Sequence, residues 1–197
     1  MDDDRPLMTD PPQERGDAAR NRKLLLDAAR ALIAERTPGD ITTDDIAAAA
    51  GVGKGTLFRR FGSRSGLMIE VLDEDERAMQ QAFLFGPPPL GPQAPPLDRL
   101  LAFGRERLRF VVAHRAVLEE VNRDPQTRYN AAFAVLHTHV RVLLAAAASS
   151  GDLDAQADAL LALLDADYVV HQMDSRGQTV ENLGVAWESL ARKLCGH

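Results

Sequence analysis

The chain has 197 residues, 45% of them hydrophobic and 26% charged, with a formal net charge of −6. That is enough apolar content for one large or two small packed units. A single cysteine, Cys195, excludes an internal disulfide, and no stretch resembles a signal peptide or a membrane span. A reducing cytoplasm is the expected compartment, with no membrane partner.

Charge is unevenly spread. Between Arg20 and Gly66 nine cations face five acids, a local excess of four positive charges that leaves about −10 on the remainder. A basic head on an acidic body is expected, and a partner of negative charge is expected at the head.

Met1 to Asp17 holds six acids and three prolines with little to bury, so residues 1–17 are expected to form a disordered arm. Helix one is expected from Asn21 to Glu35, with Leu25, Ala28, Ala29, Leu32 and Ile33 on one face. Arg20, Arg22 and Lys23 give its start a positive charge. The next stretch, Ile41 to Arg64, reads as two short helices joined by a tight turn. Thr42 caps the first, and Asp45, three residues on, reaches back to the cap. Ile46 and Ala50 face the core, with Ala47 and Ala49 small enough for close approach. Gly51 suits a left-handed C′ position. The second helix, Lys54 to Phe61, buries Leu57 and Phe61 and exposes Lys54, Thr56, Arg59 and Arg60, while Gly55 removes bulk where backbone meets backbone. A cationic, donor-rich face of this kind suits the DNA major groove; an ordinary charged helix hairpin is the plain alternative.

Gly51-Val-Gly-Lys-Gly-Thr56 also resembles part of a phosphate-cradling loop, which would make the chain a nucleotide-binding kinase. The spacing is wrong, since Ala48 stands where the first glycine belongs and Gly55 where Ser or Thr belongs. Asp44 to Ala50 is also rich in helix formers, where such a loop needs a preceding strand.

From Arg20 to about Leu72 the chain resembles the DNA-binding region of the TetR family of bacterial one-component repressors. The resemblance rests on the run LLLDAARALIAE, Thr42-Thr-Asp-Asp-Ile-Ala47, the turn Ala50-Gly-Val52, Lys54-Gly-Thr-Leu-Phe58, Phe61 and Arg64, in the family's order and spacing. It implies an all-α fold, with a three-helix helix-turn-helix head over residues 18–66 and a helical effector-binding and dimerisation domain over 67–197. It implies DNA contacts at Thr42, Lys54, Thr56, Phe58 and Arg60, with a phosphate at Arg64; Thr43, Gly55 and Arg59 complete the expected DNA-binding set. Phe58 replaces a common tyrosine, Gly53 a serine-type cap and Arg60 a frequent histidine. The implied partners are a roughly palindromic double-stranded operator, a second copy of the chain and a small-molecule effector. A ligand-independent activator or architectural DNA-binding protein is the other reading of such a head.

Helix four is expected over 63–85, then a stiff proline-rich loop from Gly86 to Pro96, then helices near 97–122, 126–149, 153–174 and 178–194, with no strands. On the first of these, Phe103, Arg107, Phe110 and His114 form one stripe; on the next, Tyr129, Phe133 and His137 form another, and His171 on the third is placed to close an effector pocket between them. Leu160 and Leu164, with Val180, Leu183, Trp187, Leu190 and Leu194, make apolar seams, and the resemblance assigns these to a four-helix dimer interface. His137 and His139, two apart, point to different helix faces. No His or Cys spacing suits zinc, no cofactor is implied, and no catalytic constellation stands out.

Overall fold

The computed structural model describes residues 12–36, 38–121 and 131–196. Every regular element among them is helical: α1 (Pro12–Glu35), a 3-10 turn (Pro38–Asp40), α2 (Thr43–Ala50), α3 (Lys54–Phe61), α4 (Arg64–Phe85), α5 (Pro96–Val121), α6 (Ala131–Ala146), α7 (Leu153–Ala162), α8 (Ala166–Val170), a π-turn (His171–Ser175) and α9 (Val180–Leu194). Contacts divide the chain within α4 into two compact units, one ending at Val71 and one beginning at Leu72.

Helix α1 starts nine residues before the expected Asn21, inside the stretch read as an arm. Proline at a first helical position forfeits no backbone bond, since that N–H has no intrahelical partner, and Ala18 and Ala19 carry the helix on. In the head unit, α1, α2 and α3 pack on one another. Leu25, Ala29, Ile46, Leu57, Leu67 and Val71 are fully buried. Ala47 and Ala50 are buried with Ile46, whereas Ala49 faces solvent, contrary to the close-approach role expected of it.

In the second unit α5 is the central helix, packed by α6, α8 and α9, and α6 is packed by α7. The expected helix 153–174 is broken. α7 ends at Ala162, Leu164 turns inward, and Asp165 starts α8 by accepting a bond from the Asp167 N–H at 3.1 Å. An aspartate satisfying the first turn of a new helix outcompetes continuation of the old one.

The centre of this unit is a lock between α5 and α9. Trp187 is 2% exposed, and its indole N–H donates to the Leu160 carbonyl at 2.9 Å. Its ring lies against Gly104, where an added Cβ would fall 2.2 Å from the indole. Leu160 and Leu164 are likewise buried. These three assignments to the dimer seam are therefore corrected: their surface is already consumed within one chain. Val180, Leu183, Leu190 and Leu194 are half-buried, while Val185 is 70% exposed. Cys195 is buried, which raises its thiol pKa and keeps it protonated.

Candidate nucleic-acid interface

Helix α2 is fixed by a reciprocal cap. The Asp45 N–H donates to Thr42 Oγ1 at 3.1 Å, and the Thr42 N–H donates to the Asp45 carboxylate at 2.9 Å. The Thr42 hydroxyl also donates to the Asp45 carboxylate, at 2.7 Å; that bond and the one from the Thr42 N–H, with Arg36 at 3.7 Å, hold the Asp45 pKa below the ordinary carboxylate value. Thr42 is thus first a cap. The helix ends at Gly51, whose φ of 64° lets the N–H groups of Gly51 and Val52 close on the carbonyls of Ala48 and Ala47, each at 3.1 Å. Because α2 precedes this turn, the strand required by a phosphate-cradling loop is not present there.

Helix α3 turns Leu57 inward and leaves Lys54, Gly55, Phe58, Arg59 and Arg60 exposed, with Thr56 half-buried. Phe61 is half-buried rather than buried. Phe58 is 44% exposed although apolar. Arg59 reaches Thr56 Oγ1 at 3.3 Å, and Lys54 Nζ lies 2.9 Å from the Asp44 carboxylate. An added Cβ at Gly55 meets nothing within 4 Å, so no internal contact requires the glycine there. Its missing side chain keeps the outer surface of α3 low. Arg64 is directed inward: its Nε donates to the Ile41 carbonyl at 2.6 Å, tying the start of α4 to the residue before the α2 cap. At the start of the head Lys23 pairs with Asp27, and Arg22 pairs with Glu70.

Those expected effector residues that the structure describes lie in separate surroundings. Phe103 is fully buried in the core, edge-on to Phe83 at 5.6 Å. Arg107, Phe110 and His114 form a strip along α5. Arg107 pairs with Glu76 at 2.6 Å and stands 4.7 Å over the Phe110 ring, and His114 Nε2 lies 3.2 Å from Asp75. Phe133 and His137, half-buried, lie towards α7, where His137 Nε2 is 3.3 Å from Asp158. His171 is exposed, and Tyr129 lies outside the described residues. The break after α7 helps open a cleft of about 450 Å³ lined by Phe133, Asp158, Leu161, Asp165, Asp167 and Tyr168, most of which the sequence reading missed.

His139, to which the sequence assigns no role, lies on the opposite face of α6 from His137 as their spacing requires. This ring is buried and stacked on Phe83 at 4.1 Å. Burial, aided by the Arg99 charge, lowers its pKa to about 4 and keeps it neutral at pH 7. Among the described residues no three His, Cys, Asp or Glu side chains come together to hold a metal, and no helix is long and apolar enough to cross a membrane.

Residues 25–71 match the family model described as bacterial regulatory proteins, tetR family. This head is a TetR-family head. Curated relatives agree: uncharacterized HTH-type transcriptional regulators from two strains of Mycobacterium tuberculosis are each 32% identical over 87 residues, covering 44% of this chain and 42% of theirs. The match thus spans less than half the length of those relatives. The TetR fold extends through the second unit. A TetR-like transcriptional regulator from Rhodococcus sp. RHA1 superposes with a TM-score of 0.60 at 23% identity, over 90% of this chain and 97% of that one. A protein described as a transcriptional regulator from Saccharomonospora viridis, solved in complex with choline, gives 0.68 at 21% identity, over 87% and 95%. At these identities the likeness is one of fold.

Proposed function

We propose that this chain is a DNA-binding transcriptional regulator that holds a roughly palindromic operator as a homodimer and lets go of it when a small molecule binds the second unit. The observation that carries the reading is α3. Its one buried residue, Leu57, anchors it on a rigidly capped α2, and its outer surface presents Lys54, Thr56, Phe58, Arg59 and Arg60 with no bulk at Gly55. Such a helix enters a major groove with lysine and arginine at base edges and phosphates. Thr43 and the first turn of α2 lie at the flanking backbone, and Arg64 acts indirectly through Ile41. Repression is the expected sense, because a protein occupying an operator obstructs transcription unless it recruits the machinery.

Dimerisation follows from the need to read two half-sites. With Trp187, Leu160 and Leu164 consumed internally, the surface available to a partner is the outer face of α9 around Val185, Ala186 and Ser189, flanked by the half-buried Leu183 and Leu190, and the exposed Ala155, Ala159 and Ala162 of α7. Small residues there permit close helix approach. The effector reading draws support from the cleft beside Phe133 and Tyr168, whose volume lies in the range of small-molecule sites, and from the choline held by the Saccharomonospora viridis neighbour. A ligand that prefers a head spacing unlike the operator's releases DNA; one equally at home in both states shifts nothing.

Selection of bound duplexes from a random pool, followed by a compound screen for release, tests the reading. Enrichment of a two-fold symmetric sequence and its release by a small molecule are expected. A pool that stays unenriched refutes it.

A further inference from the structure

We infer that Asp44 is a specificity-determining residue: it holds Lys54 as a base reader and suppresses its use as an indiscriminate phosphate binder. The inference rests on the DNA-binding reading above. The two acids that open α2 have different employments. Asp45 is consumed by the Thr42 cap, with Arg36 beside it. Asp44 takes no part in the cap. Its carboxylate lies 2.9 Å from Lys54 Nζ, across the turn from the second residue of α2 to the first of α3, and both side chains are open to solvent at 71% and 48% exposure.

An ion pair so exposed contributes little to folding, because water screens it and two long side chains lose freedom to form it. Its consequence falls on whatever approaches Lys54. An ammonium has three donors. With one held by Asp44, two remain, and the stem is restrained so that they project from a defined point at the N-terminal end of α3. Guanine offers two acceptors on its major-groove edge, O6 and N7, and can be met by those two donors while the Asp44 bond persists. A phosphate on an arbitrary sequence fares worse. It brings a full negative charge beside the Asp44 carboxylate, and to gain the whole lysine charge it must displace that carboxylate. Asp44 therefore costs non-specific binding more than specific binding, and a dimer carries the effect twice.

The test compares the full-length protein with Asp44→Asn and Asp44→Ala on two probes: a duplex selected from a random pool, and a scrambled duplex of equal length, titrated from 50 to 200 mM salt. In the variants the scrambled duplex should bind about five- to twentyfold tighter and the selected duplex should change less than about threefold, so that the specificity ratio falls. On the scrambled duplex the slope of log K against log salt should steepen by about 0.9 per head, one more counterion released by each freed lysine. Asp44→Glu should restore the parent behaviour. In a Lys54→Gln background the Asp44→Asn effect on the slope should vanish. Equal tightening on both duplexes, an unchanged slope, or an Asp44→Asn effect that survives in Lys54→Gln overturns the inference. A parent protein that binds neither duplex overturns the DNA-binding reading beneath it, a distinct outcome.

Discussion

Trp187→Ala separates a core role from an interface role for the seam on α9. The indole is 2% exposed, fills the space over Gly104 and donates to the Leu160 carbonyl at 2.9 Å. Truncating a buried Trp costs about 3–5 kcal/mol through lost transfer energy and the cavity left behind. The Leu160 carbonyl, deprived of its donor in an apolar setting, adds roughly 1 kcal/mol or more. A total near 4–6 kcal/mol is a large share of the roughly 5–15 kcal/mol of stability typical of a domain. At about 3–5 °C per kcal/mol for a unit of this size, the melting point of the second unit should drop by roughly 12–30 °C. The assay is thermal unfolding followed by circular dichroism at several protein concentrations, with sedimentation equilibrium at 20 °C. Val185→Asp is the contrast. That residue is 70% exposed, so the substitution should change single-chain stability by less than about 0.5 kcal/mol while dissociating the dimer. A Trp187→Ala protein that melts within a few degrees of the parent yet sediments as a monomer would refute the core assignment.

Lys54→Ala should weaken binding to a selected duplex by about 1–3 kcal/mol and relax preference at one base position, read by competition with single-base variants. Thr42→Ala removes the α2 cap and should cost about 0.5–2 kcal/mol of head stability in denaturant titration. Gly104→Ala places a methyl group into the Trp187 ring and should destabilise by about 1–3 kcal/mol or more, a loss partly recovered in combination with Trp187→Phe. His139 is neutral when folded, its pKa being lowered to about 4 from 6.5. Its contribution is therefore complete above pH 6.5 and is lost as the pH falls towards 4, because the unfolded chain takes up the proton first. The loss is on the order of 3 kcal/mol, and the difference in pH slope between the parent and His139→Phe measures it.

The head was legible because its signals are local. The Thr42 and Asp45 cap, the Gly51 stop and the inward Leu57 each depend on neighbours within a few residues, and the structure has them as the spacing implies. What was not legible depends on partners far along the chain. Asp44 and Lys54 meet only because the turn brings two helix starts together, so neither residue's spacing advertises the pair. The seam Val180, Leu183, Trp187, Leu190 has the same three-and-four rhythm whether it faces its own core or another chain. Gly104 is the residue that decides for Trp187, and it lies 83 positions away in sequence. The break at Asp165 was hidden because Leu161, Leu164 and Val169 keep an apolar periodicity through it. The cap that makes it is the Asp165 carboxylate, one among several acids, accepting from the Asp167 N–H. His139 was passed over because a lone imidazole on an apolar helix face gives no sign of whether it binds or merely packs.

The central claim is that α3 reads DNA as one of two linked heads, and the salt-dependent affinity of the purified protein for a duplex selected from random sequence tests it most directly. Two recognition helices on successive major grooves should enrich half-sites roughly 34–36 Å apart, one helical turn centre to centre. If the dimer neutralises roughly six to ten phosphates, affinity should fall about a thousandfold or more between 50 and 200 mM salt. An enriched two-fold sequence with that steep dependence is the predicted result; no enrichment, or a complex indifferent to salt, contradicts it.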